Sequence, residues 1–272
     1  MIKCNFHTHT VFCDGANTPS EMADSAYADG YTVLGFSGHS YVAFDSCCMD
    51  SMKTQKYISE VLTLKTAYAG KMDILLGIEQ DYYSNIDIVP YEYVIGSVHY
   101  LDIGGEYIAV DNTPDIVKKA VSEHFSNDPY RLVKAYYELE CRLFERVNAD
   151  IIGHIDLITK FQDKAPYFDT DDDRYRVCWQ EAVSELISYG KPFEINTGAM
   201  SRGWRLTPYP SPEILRFIRA HGGCIIINSD THSADTIGFG REEAVILAKE
   251  CGFDSQVIPD PNQGGFREVP FD

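Results

Sequence analysis

Cations are scarce in this chain. Its 272 residues carry 23 Lys and Arg against 41 Asp and Glu, a formal net charge of −18. A nucleic-acid binder needs a basic face to displace counterions from the phosphate backbone, and an anionic membrane surface recruits Lys and Arg in the same way. The charge therefore argues against both as bulk partners. It leaves room for a small phosphorylated substrate, because a few bound metal ions reverse the local field. No run approaches the ~18 apolar residues of a membrane span. The first residues, Met1 to Phe6, lack the apolar stretch of a signal peptide, so the cytoplasm is the default expectation. Eight cysteines are present but no Cys-x-x-Cys pair. They read as free thiols in a reducing compartment. A P-loop and a Gly-x-Ser-x-Gly elbow are both missing, and Gly238-Phe239-Gly240 is too weak for a dinucleotide signature. The acidic run Asp169 to Asp173 precedes a helical pattern rather than following a strand, so it reads as an acidic first turn.

What the chain does have is a regular alternation. Short apolar runs predict strands near 2–6, 32–37, 73–78, 93–98, 150–153, 192–196 and 223–228. Helical patterns fall near 19–29, 53–69, 113–124, 129–147, 171–189, 212–220 and 240–251. Thr18-Pro19 with Glu21, and Ser211-Pro212-Glu213, look like helix starts. Gly30, Gly190 and Gly222 stand where helices end. Strands alternating with helices imply a parallel sheet, and seven such units pack naturally as a closed or nearly closed barrel. The expectation is an α/β fold, a distorted (β/α)7 barrel, in a single domain over 1–272. The stretch 255–272, with three prolines and no periodicity, is expected to wrap the surface or to lie loose.

Six of the eight histidines fall at the ends of these strands. His7 and His9 follow the first, His39 the second, His99 the fourth and His154 the fifth. His232 lies beyond the last, two residues after Asp230, and Glu79 ends the third. In a parallel barrel all strand C-termini share one face, where active sites are built. Residues i and i+2 of an extended chain project to the same side, so His7 with His9, and Asp230 with His232, can each hold one ion. Imidazole and carboxylate donors suit Zn, Mn or Fe. His124 and His221 read as ordinary histidines, the latter favoured by the dipole at a helix end.

This pattern of His7-Thr8-His9, His39, Glu79, His99, His154 and Asp230-Thr231-His232 resembles the PHP (polymerase and histidinol phosphatase) superfamily over residues 5 to about 240. Within it, Gly96-Ser97-Val98-His99-Tyr100-Leu101-Asp102, the segment Gly153 to Phe161, and Glu194-Ile195-Asn196-Thr197-Gly198 are most similar to the histidinol-phosphate phosphatases. The resemblance implies a distorted seven-stranded barrel holding two or three divalent transition-metal ions. His7, His9, Glu79 and Asp230 would hold one ion. Glu79, His99 and His154 would hold a second, with Glu79 bridging, and Asp14, His39 and His232 a third. It implies hydrolysis of L-histidinol phosphate in histidine biosynthesis, with a hydroxide bridging two metals as nucleophile. Glu79, Asp14 and Asp230 are then the carboxylates at the reacting centre, and Asp14 is a candidate to protonate the leaving alkoxide. Arg202 and Lys160 would take the phosphate oxygens. Asp102, Glu106 or Asp156 would recognise the cationic amine. Two departures stand out. Gly38 occupies a position that is often acidic in the family, and Arg202 follows Asn196-Thr197 later than the family's arginine does. Competing readings are a phosphoesterase acting on nucleotides, oligonucleotides or another small phosphomonoester, an amidohydrolase-like C–N hydrolase, and a metal-binding barrel without catalysis.

Overall fold

In the computed structural model, which describes residues 2–260 and 264–271, the alternation resolves into the expected sheet. Its strands are β1 (Cys4–Asn5), β2 (Val33–Phe36), β3 (Asp73–Asp81) and β4 (Tyr93–Ser97). A hairpin of β5 (Tyr100–Ile103) and β6 (Glu106–Ala109) interrupts the series before β7 (Ile151–Ile152), β8 (Phe193–Asn196) and β9 (Ile225–Asn228). The seven-stranded sheet runs in the order β1-β2-β3-β4-β7-β8-β9, and every pairing in it is parallel. The seam between β1 and β9 is drawn together by a bridge from Thr8 to Thr231. Side chains add to it. Asn228 Oδ1 accepts from the Phe6 N–H at 2.9 Å, and Asn5 Oδ1 accepts from the Ser229 N–H at 2.7 Å. The sheet is thus nearly closed as a barrel.

The strand interior is filled by Phe6, Val33, Leu75, Tyr93, Ile95, Ile151 and Ile226, all buried. Tyr93 crosses this space and donates its hydroxyl hydrogen bond to the Phe6 and Phe36 carbonyls, at 2.6 and 2.9 Å. Only a glycine can stand beneath its ring: a Cβ on Gly77 would meet Tyr93 Cζ at 2.2 Å.

The crossovers place α1 (Pro19–Ala28), α2 (Ser51–Ala67), α3 (Pro114–His124), α4 (Pro129–Glu140), α5 (Leu143–Arg146), α6 (Asp173–Ile187), α7 (Gly198–Ser201), α8 (Pro212–Ala220) and α9 (Arg241–Glu250) along the chain. Thr18 and Glu21 form a reciprocal capping box at α1, as the sequence signals. Asp172 caps α6 by accepting from the Arg174 N–H, so the acidic run at 169–173 is a helix start. Ser211 makes no side-chain cap on α8; there Pro212 and the acidic Glu213 mark the first turn. The helix expected over 129–147 is broken after Glu140, and α5 forms a separate turn.

The C-terminal stretch corrects the expectation of a loose tail. It folds into an antiparallel hairpin of β10 (Ser255–Pro259) and β11 (Phe266–Pro270). Ile258 and Val269 join the barrel's interior cluster, and Gln256 Oε1 accepts from the Ile227 N–H at 2.9 Å. Prolines and a missing period hid a hairpin whose alternate residues face inward.

Candidate metal centre

The residues expected at the strand ends converge around Glu79. β3 pairs with β2 as far as Leu76 and with β4 from Gly77 to Asp81, so its C-terminal half carries Glu79 beyond the end of β2. Glu79 is 1% exposed. Its Oε2 lies 3.2 Å from His7 Nε2, 3.5 Å from His9 Nε2 and 2.9 Å from His39 Nδ1. Its Oε1 lies 3.3 Å from His99 Nε2 and 3.0 Å from His154 Nε2, and it accepts from the Ser97 hydroxyl at 2.7 Å. Asp230 Oδ1 is 3.2 Å from His9 Nε2 and 3.7 Å from His7 Nε2. On the outer side Asp14 meets His39 Nε2 at 3.6 Å through Oδ1 and His232 Nε2 at 3.2 Å through Oδ2. The His9 ring lies between those of His39 and His232, at centroid distances of 4.3 and 4.1 Å.

These spacings fit metal ions. Four ligands at ~2.1 Å around a tetrahedral ion stand about 3.4 Å apart, close to the separations among His7, His9, Glu79 and Asp230. Among the described residues, His7 Nε2, His9 Nε2 and Glu79 Oε2 are buried with no hydrogen-bond partner. Three unsatisfied polar atoms facing one point would be costly unless something binds there. Asp14 with His9, His39 and His232, and His39 with Glu79 and His99, likewise bring their donor atoms within 4.8 Å of one another.

Electrostatics point the same way. Burial opposes charge on Glu79 and Asp230, yet the surrounding histidines, and Arg202 for Asp230, hold both well below the usual carboxylate range. Burial also opposes protonation of His7, but Glu194, Glu79 and Asp230 outweigh it and raise its pKa well above normal. Burial followed by the repulsion of His232 and His39 lowers His9 to about 3. The cluster is thus rich in anionic carboxylates that require positive charge nearby, and dications satisfy that requirement.

A supporting layer orients the rings. His7 Nδ1 lies 2.7 Å from Glu194 Oε1, and since an ionised carboxylate only accepts, Nδ1 carries the proton and Nε2 faces inward. Asp81 Oδ2 does the same for His99 Nδ1 at 3.2 Å. Glu194 is itself fixed by Asn196 and Asn228, at 3.0 and 2.9 Å. Reasoning from sequence did not assign Glu194 or Asp81 a role. The signal was present: Asp81 is two residues after Glu79, and Glu194 is a carboxylate inside an apolar strand, which needs a partner. No carboxylate stands at Gly38, where a Cβ would already sit 3.0 Å from Met49 Cε and 3.3 Å from Cys13 Sγ.

Arg202 reaches the cluster. Its Nη2 lies 3.3 Å from Asp230 Oδ2 and its Nη1 3.0 Å from His232 Nδ1. Lys160 lines a cavity of about 310 Å³ beside Asp14, His39, Glu79 and His99, and its Nζ lies 3.0 Å from Asp111 Oδ2. The three carboxylates expected to recognise an amine are placed elsewhere. Asp102 is exposed on β5. Glu106 pairs with His124 at 3.3 Å. Asp156 is fully buried and accepts from the Ser211 N–H. For Asp102 and Glu106 the β5–β6 hairpin is the reason: it carries both outward and returns the chain to the cavity at Asp111. Its Gly104-Gly105 turn was the readable sign. His221 caps α8 away from the cluster, with Nδ1 on the Phe217 carbonyl. All eight cysteines are free, and no helix among the described residues is long and apolar enough to cross a membrane.

A model of the PHP domain matches residues 5–198. The chain belongs to the PHP family. Two relatives named "Probable histidinol-phosphatase" extend the match. The protein from Deinococcus radiodurans is 30% identical over 264 residues, covering 92% of this chain and 94% of its own. That from Schizosaccharomyces pombe is 29% identical over 239 residues, covering 82% and 76%. The crystal structure of histidinol phosphate phosphatase from Lactococcus lactis, complexed with Zn, L-histidinol and phosphate, has the same fold. Its TM-score is 0.71 at 24% identity, covering 94% of this PHP chain and 95% of that one.

Proposed function

We propose that this PHP protein is a phosphoric monoester hydrolase that converts L-histidinol phosphate to L-histidinol and phosphate with two or three divalent ions, Zn, Mn or Fe. The observation that carries the reading is the Glu79-centred cluster, whose buried ring nitrogens and carboxylate oxygen lack partners. His7, His9, Glu79 and Asp230 would hold one ion, Glu79, His99 and His154 a second, and Asp14, His39 and His232 a third. When bound, such ions supply Lewis acidity and a nucleophile at neutral pH. The substrate follows from the relatives and from the small cavity of about 310 Å³, which suits a compact phosphomonoester better than an oligonucleotide.

The chain's own groups orient the ester. Lys160, 8% exposed and facing the cavity, places a cation beside the non-bridging phosphate oxygens. Arg202 neutralises Asp230, and its side chain, 32% exposed, stands at the edge of the cluster where it would do the same. Asp14 is held as a carboxylate by His39 and His232 against the opposing effect of burial. That suits a ligand and disfavours a role as proton donor to the leaving alkoxide.

Phosphate release from L-histidinol phosphate, beside nucleotides and sugar phosphates on metal-replete protein, tests the proposal. A preference of orders of magnitude in kcat/KM for histidinol phosphate supports it. A preference for another phosphomonoester keeps the phosphatase and changes the substrate. No release with Zn, Mn or Fe supplied overturns it and brings C–N hydrolysis forward.

A further inference from the structure

Lys160 and Asp111 stand side by side on the cavity wall, their charged atoms 3.0 Å apart. The Lys160 side chain is 10% exposed and that of Asp111 26%. An ion pair at this depth is costly to desolvate, and its placement on the wall of the reaction cavity calls for a reason. Burial works against the Asp111 carboxylate, yet Lys160 and His99 hold its pKa down to about 2. The Asp111 carboxylate is therefore ionised near neutrality. One oxygen, Oδ2, engages Lys160, which leaves the lone pairs of the other for a ligand. A second carboxylate, Asp45, borders the same cavity. It is oriented by the Tyr100 hydroxyl and the Cys47 N–H. The wall thus presents a cation toward the cluster and carboxylates around it.

We infer that Asp111 is the specificity residue of this site, accepting a hydrogen bond from an ammonium group on the leaving alcohol while its partner Lys160 takes the phosphate. The inference rests on the proposed phosphatase activity and deepens it. The wall matches a zwitterionic phosphomonoester, one whose cationic nitrogen lies a few atoms from phosphorus. An aryl or sugar phosphate of the same size offers the phosphate to Lys160 but brings no ammonium donor to the Asp111 oxygen that Lys160 does not engage, and a polar group left without its ligand partner is what makes such a site discriminate. The β5–β6 hairpin, which returns the chain to the cavity at Asp111, becomes the element that sets substrate choice.

The test compares kcat/KM for L-histidinol phosphate with that for p-nitrophenyl phosphate, which has no amine, in the wild type, Asp111→Asn and Asp111→Glu. Metal content and a melting curve are recorded for each protein. Asp111→Asn is expected to lower the ratio of the two values by about 30-fold or more, mainly through KM for the aminated ester. Asp111→Glu, which keeps the charge, is expected to recover much of the ratio. If Asp111→Asn lowers both values by the same factor, Asp111 only holds Lys160 in place and the inference is overturned. If the wild type cleaves p-nitrophenyl phosphate but not histidinol phosphate, the proposed substrate fails first, and the two failures are distinguishable.

Discussion

Glu194 lies on β8 and its Oε1 meets Nδ1 of His7, just beyond β1, at 2.7 Å. Both side chains are fully buried. Across the nearly closed barrel this contact fixes the His7 tautomer and aims Nε2 at Glu79 and Asp230. Glu194→Gln keeps the size of the side chain and lets the tautomer reverse. It is expected to weaken metal binding about 10–100-fold, read by competition with a chromogenic chelator. An unchanged affinity would mean that His7 needs no such support.

Asp230 adopts a positive φ of 45°, an uncommon conformation for a residue with a side chain. Opposite it stands Gly198, where a Cβ would come within 2.5 Å of Asp230 Oδ2. Gly198→Ala is expected to push the Asp230 carboxylate out of line and lower kcat/KM by roughly 100-fold. Thermal stability should move far less than activity. Equal loss of both would show that the glycine serves the fold rather than the carboxylate.

Glu140 sits on α4, 1% exposed. Its Oε1 accepts from the Tyr136 hydroxyl at 2.7 Å, and among the described residues its Oε2 has no partner. Burial, only partly offset by that hydrogen bond, raises its pKa to about 8. An unfolded glutamate titrates near 4.3. Between these two values the folded state binds more protons than the unfolded one, so this group makes stability fall as pH rises from about 4.3 to about 8. Glu140→Gln removes the titration. The variant should gain on the wild type across that window, by on the order of a few kcal/mol at its upper end. Urea melts at pH 5 and pH 8 measure the difference, and a gap that does not widen with pH would contradict the assignment.

Ile258, on β10, is fully buried in the barrel's interior cluster. Ile258→Ala is expected to cost about 2–5 kcal/mol, measured as a shift of the denaturation midpoint. A change below ~0.5 kcal/mol would show that the hairpin adds little to the core.

The seven strands and the convergence of Glu79, Asp230 and six histidines were legible because they depend on local signals. Apolar runs alternate with capped helices, and ligand-type residues recur where those runs end. What was not legible depends on the chain returning from a distance. Asp111 belongs to the cavity only because the β5–β6 hairpin folds back, and Asp102, closer in sequence to His99, is carried away by the same turn. Glu194 supports His7 across 187 positions, a pairing set by strand order. The C-terminal hairpin was masked because its inward residues include Gln256, whose polar side chain is satisfied only by the Ile227 N–H.

The Glu79-centred cluster would hold the metals of the proposed chemistry, so bound ions per chain, measured together with phosphate release in Glu79→Ala, test the account most directly. On the proposed arrangement the variant is expected to lose the two ions that Glu79 would share, and turnover should fall by on the order of a thousandfold or more. Full metal content with an undiminished rate would contradict the account.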